Sequence, residues 1–403
     1  MNGGFSDRLR GWWERHRLTV LRSAVVVLAV FAVLKLGTEF YRLLGESRRQ
    51  GAVDLHQRHT EVHQWFAGQV VYGAIRTATY PPASYAILWP LVGWLEFTPV
   101  RWLWAASTVA AIGWLIYLIV RDSGATTRLE RVFVALLLLS MNATGVAIGN
   151  GQLPLHVLPA LVAGLVLLQR ARGQWREELA GSVLILAAFV KPNMAIPFFW
   201  LVLVVPRNFR PALLVGVGCV ALTLLAASFQ EAGLVPLLRD WVARGVATST
   251  RDSVQLSYGN LHSWAAALGL ERWNTPASLG LLAALGGWVY HHRHSDLWRL
   301  LGVTALVARL WTYHGLYDDV LILLPMVALF RIAKQSPATD GAAVIAGVLL
   351  AITTLAMLAP ARLFHGPPPG CWLFSAGHTM VWGAIFIFLL DRTWRDLRRR
   401  GSS

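Results

Sequence analysis

The sequence predicts an all-α membrane protein that crosses the bilayer many times. Of its 403 residues, 56% are hydrophobic and only 14% are charged, a mixture that one water-soluble core does not accommodate. Long apolar segments recur along the chain, and short Arg-rich stretches separate them, as is typical of cytoplasmic loops. The net charge of +15 therefore indicates a membrane face and argues against nucleic acid as a partner.

The N-terminal segment predicts the first span. It is basic at first and then apolar over about residues 18–40, which is too long for the core of a cleaved signal peptide. Its start is therefore placed in the cytoplasm. The two cysteines, Cys219 and Cys371, lie far apart and fit neither a disulfide framework nor a zinc pattern.

Twelve apolar segments are predicted to span the membrane, since a transmembrane helix needs roughly 17–25 residues and a bundle tolerates shorter ones. They are about 18–43, 100–120, 132–148, 153–170, 177–190, 193–205, 211–229, 276–290, 298–312, 318–331, 341–359 and 373–390. A further stretch, 83–96, is short and contains Pro90. Counting it as a span would place the later Arg-rich loops outside the cell, against the positive-inside rule. We therefore expect this stretch to lie in the outer interface or to re-enter the membrane.

This topology places both termini and most of the 36 Lys and Arg residues in the cytoplasm. The two longest loops, about 44–99 and 230–275, are then outside. No internal repeat or soluble domain is evident, so residues 1–403 are interpreted as a single membrane domain.

The first outer loop is predicted to begin with an interfacial helix. Its apolar stripe and its polar face recur at helical spacing. The stripe consists of Leu55, Val62 and Phe66, and the opposite face of Gln57, Thr60, Glu61 and Gln64.

Six polar motifs fall on the predicted outer face, where ionisable groups and irregular backbone at membrane depth indicate function. They are 51–55, 80–82, 149–152, 191–193, 258–264 and 313–319. Asp54 could cap the interfacial helix or act as a general base that takes a proton from an attacking hydroxyl. Lys191, between two short helices, could snorkel to the interface or bind a phosphate.

Other residues leave several roles open. Arg76, Arg239, Arg244 and Arg251 are outer cations that could neutralise a phosphate, although headgroup binding is the favoured role for any one of them. His314 could act as a base, and His314, Asp318 and Asp319 could clamp an acceptor or ligate a metal; a metal is not favoured. His56, His59 and His63 share a helical sector and could also ligate a metal, although a metal is not favoured there either. Residues 149–152 predict a tight turn.

The order of these motifs resembles glycosyltransferase family 87, the bacterial polyprenyl-phosphate-mannose-dependent mannosyltransferases, within the C-type glycosyltransferase architecture. The matching elements are Val53-Asp54-Leu55, Tyr80-Pro81-Pro82-Ala83, Gly151-Gln152, Lys191-Pro192, Asn260 to Ser263, and Tyr317-Asp318-Asp319. Arg58, where an aromatic residue is common, and His262 depart from the family pattern. The resemblance covers about residues 50–330.

The resemblance implies an inverting glycosyltransferase of the bacterial inner membrane that uses neither metal nor cofactor. Its partners would be a polyprenyl-phosphate sugar donor, a lipid or glycan acceptor, and membrane lipids. Asp54 would be the base, with His314 as second candidate, and Lys191, Arg76 and Arg251 would face the donor phosphate. The remaining substrate-binding candidates are Tyr80, Gln152, Asn193, Asn260, His262, Tyr317, Asp318 and Asp319. The rival interpretations are a transporter or lipid flippase and a membrane scaffold.

Overall fold

The computed structural model describes residues 3–45, 51–75, 77–171, 173–206, 208–251, 259–336, 341–363 and 369–401. Within these ranges, all regular structure is helical. The helices are α1 Gly3–Gly45, α2 Val53–Phe66, α3 Pro82–Val92, α4 Phe97–Asp122, α5 Arg128–Ser140, α6 Asn142–Asn150, α7 Pro154–Arg170, α8 Trp175–Ala188, α9 Pro192–Val204, α10 Arg210–Ala227, α11 Leu234–Arg251, α12 Leu261–Ala267, α13 Asn274–His291, α14 Leu297–Leu310, α15 Leu323–Gln335, α16 Gly341–Met357 and α17 Gly370–Gly401. Three 3₁₀ helices cover Glu271–Trp273, Leu316–Ile322 and Ala361–Leu363.

Several helices have the length and composition of membrane spans. Among the described residues there are four of them, or five if a bent pair of helices forms one span. The four are Arg15–Gly45, Phe97–Asp122, Arg210–Ala227 and Gly370–Arg398. Large apolar side chains on α1 such as Val33 and Leu34 point away from the protein, which suits contact with lipid. These helices indicate a helical membrane protein, and the count of twelve spans stays a prediction.

Three shorter helices form the centre of the bundle. Nearly every residue of α7, α14 and α15 is buried, including both faces of each helix. A helix that is apolar all round belongs inside a large protein. α7 packs on α4, α8 and α9, while α14 packs on α9, α15 and α17. One cluster of buried apolar residues extends from Leu43 to Leu389.

The predicted span 132–148 is not one continuous helix. The chain is extended at Met141, and α5 and α6 are bent by 50° on either side of it. The Ser140 hydroxyl donates to the Leu136 carbonyl and the Thr144 hydroxyl to the Leu138 carbonyl, both at 2.7 Å. These bonds satisfy carbonyls near the break, so the bend leaves few unpaired backbone groups.

The helix predicted at the start of the first outer loop is present as α2, and its place at the membrane interface stays a prediction. Its predicted polar face was partly wrong. Glu61 is fully buried, together with Arg58, because α2 packs against α3, α4 and α6. The apolar stretch after Tyr80 forms α3, whose 11 residues measure about 16 Å and are too short to cross a bilayer alone.

Candidate functional site

The site is built around the turn between α6 and α7. Gly151 adopts the left-handed conformation (φ 69°), and the N–H of Gln152 donates to the Ala147 carbonyl at 2.8 Å. The N–H of Ala52 donates to the Gly149 carbonyl at 2.9 Å, which joins the start of α2 to this turn. A Cβ at residue 151 would lie 2.5 Å from the Leu55 Cβ. The predicted tight turn is confirmed, and it requires glycine because α2 packs directly on it.

Asp54 faces this turn instead of capping its own helix, so the capping role was wrong. The N-cap of α2 is Ala52, and Asp54 is the second helical residue. The side chains of Gln152 and Asn150 lie beside the half-buried Asp54 carboxyl. Burial raises the pKa of Asp54 above its usual range, while the nearby Gln152 side chain and the charge of Arg58 act in the opposite sense.

Lys191 lies at the break between α8 and α9, and its ammonium is buried. The Nζ atom lies 2.5 Å from Asp318 Oδ1 and 4.5 Å from the centre of the Tyr317 ring. It also lies within electrostatic range of Asp54. The snorkelling interpretation was therefore wrong, since the side chain is only 7% exposed and has a buried carboxylate partner.

Asp318 links Lys191 to His314. Its Oδ2 atom lies 3.0 Å from His314 Nδ1 and accepts the N–H of Gly315 at 3.1 Å. A carboxylate beside Nδ1 favours the tautomer that carries its proton there, which leaves Nε2 as an acceptor. The Asn193 amide lies 3.5 Å from the same imidazole. The loop before α15 is thus fixed onto the start of α9.

A second buried pair lies one turn along α2, and sequence reasoning missed it. Arg58 pairs with Glu61 at 2.7 Å, and its guanidinium stacks 4.4 Å from the centre of the Tyr80 ring. The Tyr85 hydroxyl donates to Glu61 at 3.3 Å. Burial raises the pKa of Glu61 to about 7, and the charge of Arg58 opposes this shift. The spacing of Asp54, Arg58 and Glu61 on one helical face was the signal.

Asp318 and Asp319 face different partners, although they are adjacent in sequence. Asp319 forms a buried ion pair with Arg309 of α14, and Arg309 stacks 4.8 Å from the Trp382 ring. Within the described ranges, no three or more His, Cys, Asp and Glu side chains are grouped to hold a metal ion. The rings of His59 and His63 instead contact each other at a tilt, with their centres 4.2 Å apart, and His56 packs on Phe97.

The motif at 260–263 reaches the site through a chain of hydrogen bonds. Asn260 Oδ1 caps α12 by accepting the N–H of Ser263 at 3.0 Å. His262 Nε2 lies 2.8 Å from the Ser278 hydroxyl, which donates to the Trp311 carbonyl at 2.5 Å. The Trp311 indole N–H donates to the Asn193 carbonyl at 2.8 Å. Among the described residues, no hydrogen bond joins Asn260 or His262 to Asp54.

The structure describes the predicted outer arginines only in part. Arg76 and the side chain of Arg251 lie outside the part of the chain that the structure describes. Arg239 is exposed on α11. Arg244 donates to the Tyr72 carbonyl, and Trp241 donates to the Thr79 carbonyl at 2.9 Å. α11 is therefore hydrogen-bonded to the segment 72–79, which precedes Tyr80.

Comparison with known proteins gives the family. The model of glycosyltransferase family 87 matches residues 78–313, which is more than half of the chain. The matched region contains Tyr80, Gln152 and Lys191, while Asp54 lies before it and His314 directly after it. No curated protein and no solved structure matches. On the extent of this match, the chain belongs to glycosyltransferase family 87 and is a glycosyltransferase.

Proposed function

We propose that the protein transfers a sugar, with mannose the leading candidate, from a polyprenyl-phosphate donor to a lipid or glycan acceptor. Transfer inverts the anomeric centre and uses no metal ion or cofactor, as the family resemblance implies. One observation carries the proposal: Lys191 lies within electrostatic range of Asp54 and in contact with Asp318. A proton acceptor and a phosphate-binding cation therefore belong to one site.

Asp54 suits the role of general base. Its carboxyl is half-buried and lies beside the polar side chains of Gln152 and Asn150. Burial raises its pKa, which makes the carboxylate a stronger proton acceptor than an ordinary aspartate. The acceptor hydroxyl would attack the anomeric carbon as its proton passes to Asp54. The bond from that carbon to the phosphate oxygen breaks, and its electron pair leaves with the phosphate.

Lys191 and Arg58 would stabilise the charge that develops on the leaving phosphate. Each cation already has a carboxylate partner, Asp318 for Lys191 and Glu61 for Arg58. These partners hold the cations in place while no donor is bound. The aromatic rings of Tyr80 and Tyr317 cover the two cations, which keeps water away from them.

His314 is the second candidate for the base. Asp318 orients its ring, and the buried Nε2 atom has no hydrogen-bond partner within the described residues. A hydroxyl that reached Nε2 could transfer its proton there. Variants at Asp54 and His314, assayed separately, assign the role.

We further propose that the chain has twelve spans and a C-type glycosyltransferase architecture, with both termini in the cytoplasm of a bacterial inner membrane. The active site then faces the opposite side, where the loops 44–99 and 230–275 lie. A lipid-linked donor would enter from the bilayer between helices.

Reconstitution in liposomes tests the function. Purified protein would be supplied with a polyprenyl-phosphate mannose, a polyprenyl-phosphate glucose or a nucleotide sugar, together with extracted envelope glycolipids as acceptors. We expect a glycolipid one hexose heavier, by mass spectrometry, only with a polyprenyl-phosphate donor. Transfer from the nucleotide sugar alone would contradict the proposal. So would movement of the lipid across the bilayer without cleavage of the sugar from its phosphate.

A further inference from the structure

Buried polar atoms without hydrogen-bond partners are concentrated beside the proposed site. Within the described residues, eight side chains in this region carry them. Two are His262 (Nδ1) and the half-buried Trp264 (Nε1). The other six are more deeply buried, and they are Asn260 (Nδ2), Ser263 (Oγ), Asn274 (Nδ2 and Oδ1), His314 (Nε2), Ser375 (Oγ) and Trp382 (Nε1). None of the six residues is more than 4% exposed. Because buried polar groups in proteins nearly always have a partner, such a concentration indicates a ligand that supplies several partners at once.

These side chains belong to neighbouring elements. The segment before α12 lies on α17, since a Cβ at Gly259 would be 3.5 Å from the Ser375 carbonyl and 3.6 Å from the Trp382 ring. His262 lies beside the backbone of Asn274 and within electrostatic range of His314. The six residues therefore lie where α12, the start of α13, the loop after α14 and the start of α17 meet.

The chemistry of this polar cluster favours one class of ligand. Its unpartnered atoms include donors, an amide that offers both functions, and hydroxyls that can do either. None of the six side chains is a lysine or an arginine. Asn274 Oδ1 and, in the tautomer that Asp318 favours, His314 Nε2 are acceptors that a phosphate oxygen could not satisfy, whereas a neutral ring with many hydroxyls offers both donors and acceptors. The Trp382 indole adds an aromatic surface for the apolar side of such a ring.

We infer that the polar cluster is a carbohydrate subsite that binds a hexose ring. The inference rests on the proposed function, because it locates one sugar of the transfer reaction. His314 belongs both to the cluster and to the network of Asp318 and Lys191, so the subsite adjoins the proposed reaction centre. The hexose belongs either to the donor or to a glycan acceptor, and kinetics separates these two sources.

Two substitutions, Ser375→Ala and Asn274→Leu, each remove the polar atoms of one cluster side chain, and Asn274→Leu keeps its branched shape. Thr108→Val is the matched control, since the Thr108 hydroxyl on α4 is equally buried and unpartnered but does not belong to the cluster. Three quantities are measured on full-length protein in detergent: thermal unfolding, saturation-transfer NMR with methyl α-mannopyranoside and methyl α-glucopyranoside, and the KM values for donor and acceptor.

We expect saturation transfer to at least one glycoside in wild-type protein and in Thr108→Val, and its loss in the two cluster variants. The KM should rise roughly 3- to 10-fold per lost hydrogen bond. A rise in the KM for the donor would show that the subsite binds the sugar of the donor. A rise in the KM for the acceptor would show that it binds a sugar of a glycan acceptor.

The inference is overturned if both cluster variants behave like Thr108→Val, with higher stability, wild-type glycoside binding and wild-type KM values. That result would mean that the unpartnered polar atoms of the cluster bind no sugar. Glycoside binding that depends on the cluster in a protein that transfers no sugar would instead support the subsite and contradict the proposed function.

Discussion

Lys191 and Asp318 are 127 residues apart in sequence, yet Lys191 Nζ lies 2.5 Å from Asp318 Oδ1 in the protein interior. The pair joins the break between α8 and α9 to the 3₁₀ helix before α15. Since Asp318 also accepts from His314 and Gly315, this one carboxylate fixes three parts of the site.

Removal of Lys191 should have separate effects on stability and on donor binding. Lys191→Met leaves Asp318 as an uncompensated buried charge, so the free energy of unfolding should fall by about 3–5 kcal/mol. The double variant Lys191→Met/Asp318→Asn should regain most of that stability. Donor affinity, measured with a fluorescent polyprenyl phosphate, should stay lost in both variants. Wild-type affinity in the double variant would show that Lys191 has only a structural role.

Gly151→Ala should disturb the site more than its backbone strain explains. An alanine in the left-handed conformation costs roughly 1–2 kcal/mol, and here its Cβ would also overlap Leu55 of α2. Gly173→Ala is the matched control, because Gly173 has φ 90° but no atom within 4 Å of the added Cβ. We expect Gly151→Ala to lose more stability and most of its transfer rate. Equal losses in thermal unfolding for the two variants would contradict close packing of α2 on the turn.

Glu61 should make stability depend on pH. Its pKa rises from 4.5 in the unfolded chain to about 7 in the folded protein. The folded state then binds more protons than the unfolded state between these values, so this contribution is full below pH 4.5 and is lost as pH rises to about 7. The loss is on the order of 3 kcal/mol. Wild-type protein and Glu61→Gln are compared by denaturant unfolding from pH 4.5 to 8, and parallel curves would refute the shift.

The topology predicts which introduced cysteines react outside the cell. In a background without Cys219 and Cys371, Ala74→Cys and Glu96→Cys are both at exposed positions. An impermeant maleimide should label both in intact cells, and Arg128→Cys only after lysis. Labelling of the Glu96 position only after lysis would mean that 83–96 crosses the membrane, and the later loops would change sides.

The local features of the site could be predicted from sequence, because each has a local cause. Gly151-Gln152 before a proline predicts a turn, and Lys191-Pro192 predicts a helix break. The break at Met141 was not predicted, although Ser140, Asn142 and Thr144 interrupt the apolar run there. The hydroxyls of Ser140 and Thr144 donate to backbone carbonyls at the break.

The partners of the charged residues could not be predicted in the same way. The spacing of Arg58 and Glu61 is equally typical of a wet helical face, and only the packing of α2 in the bundle buries the pair. Asp318 and Asp319 look like one acidic pair in sequence. In the 3₁₀ helix, however, they turn towards Lys191 and Arg309, on different helices.

The most direct test is the single-turnover rate of sugar transfer by Asp54→Asn, with donor affinity and thermal unfolding measured in parallel. Asparagine keeps the shape of the side chain but cannot take the proton from the acceptor hydroxyl. We predict a rate about 10²- to 10⁴-fold below wild type, with donor affinity and unfolding temperature close to wild type. A transfer rate within a few-fold of wild type would contradict the assignment of Asp54 as the general base.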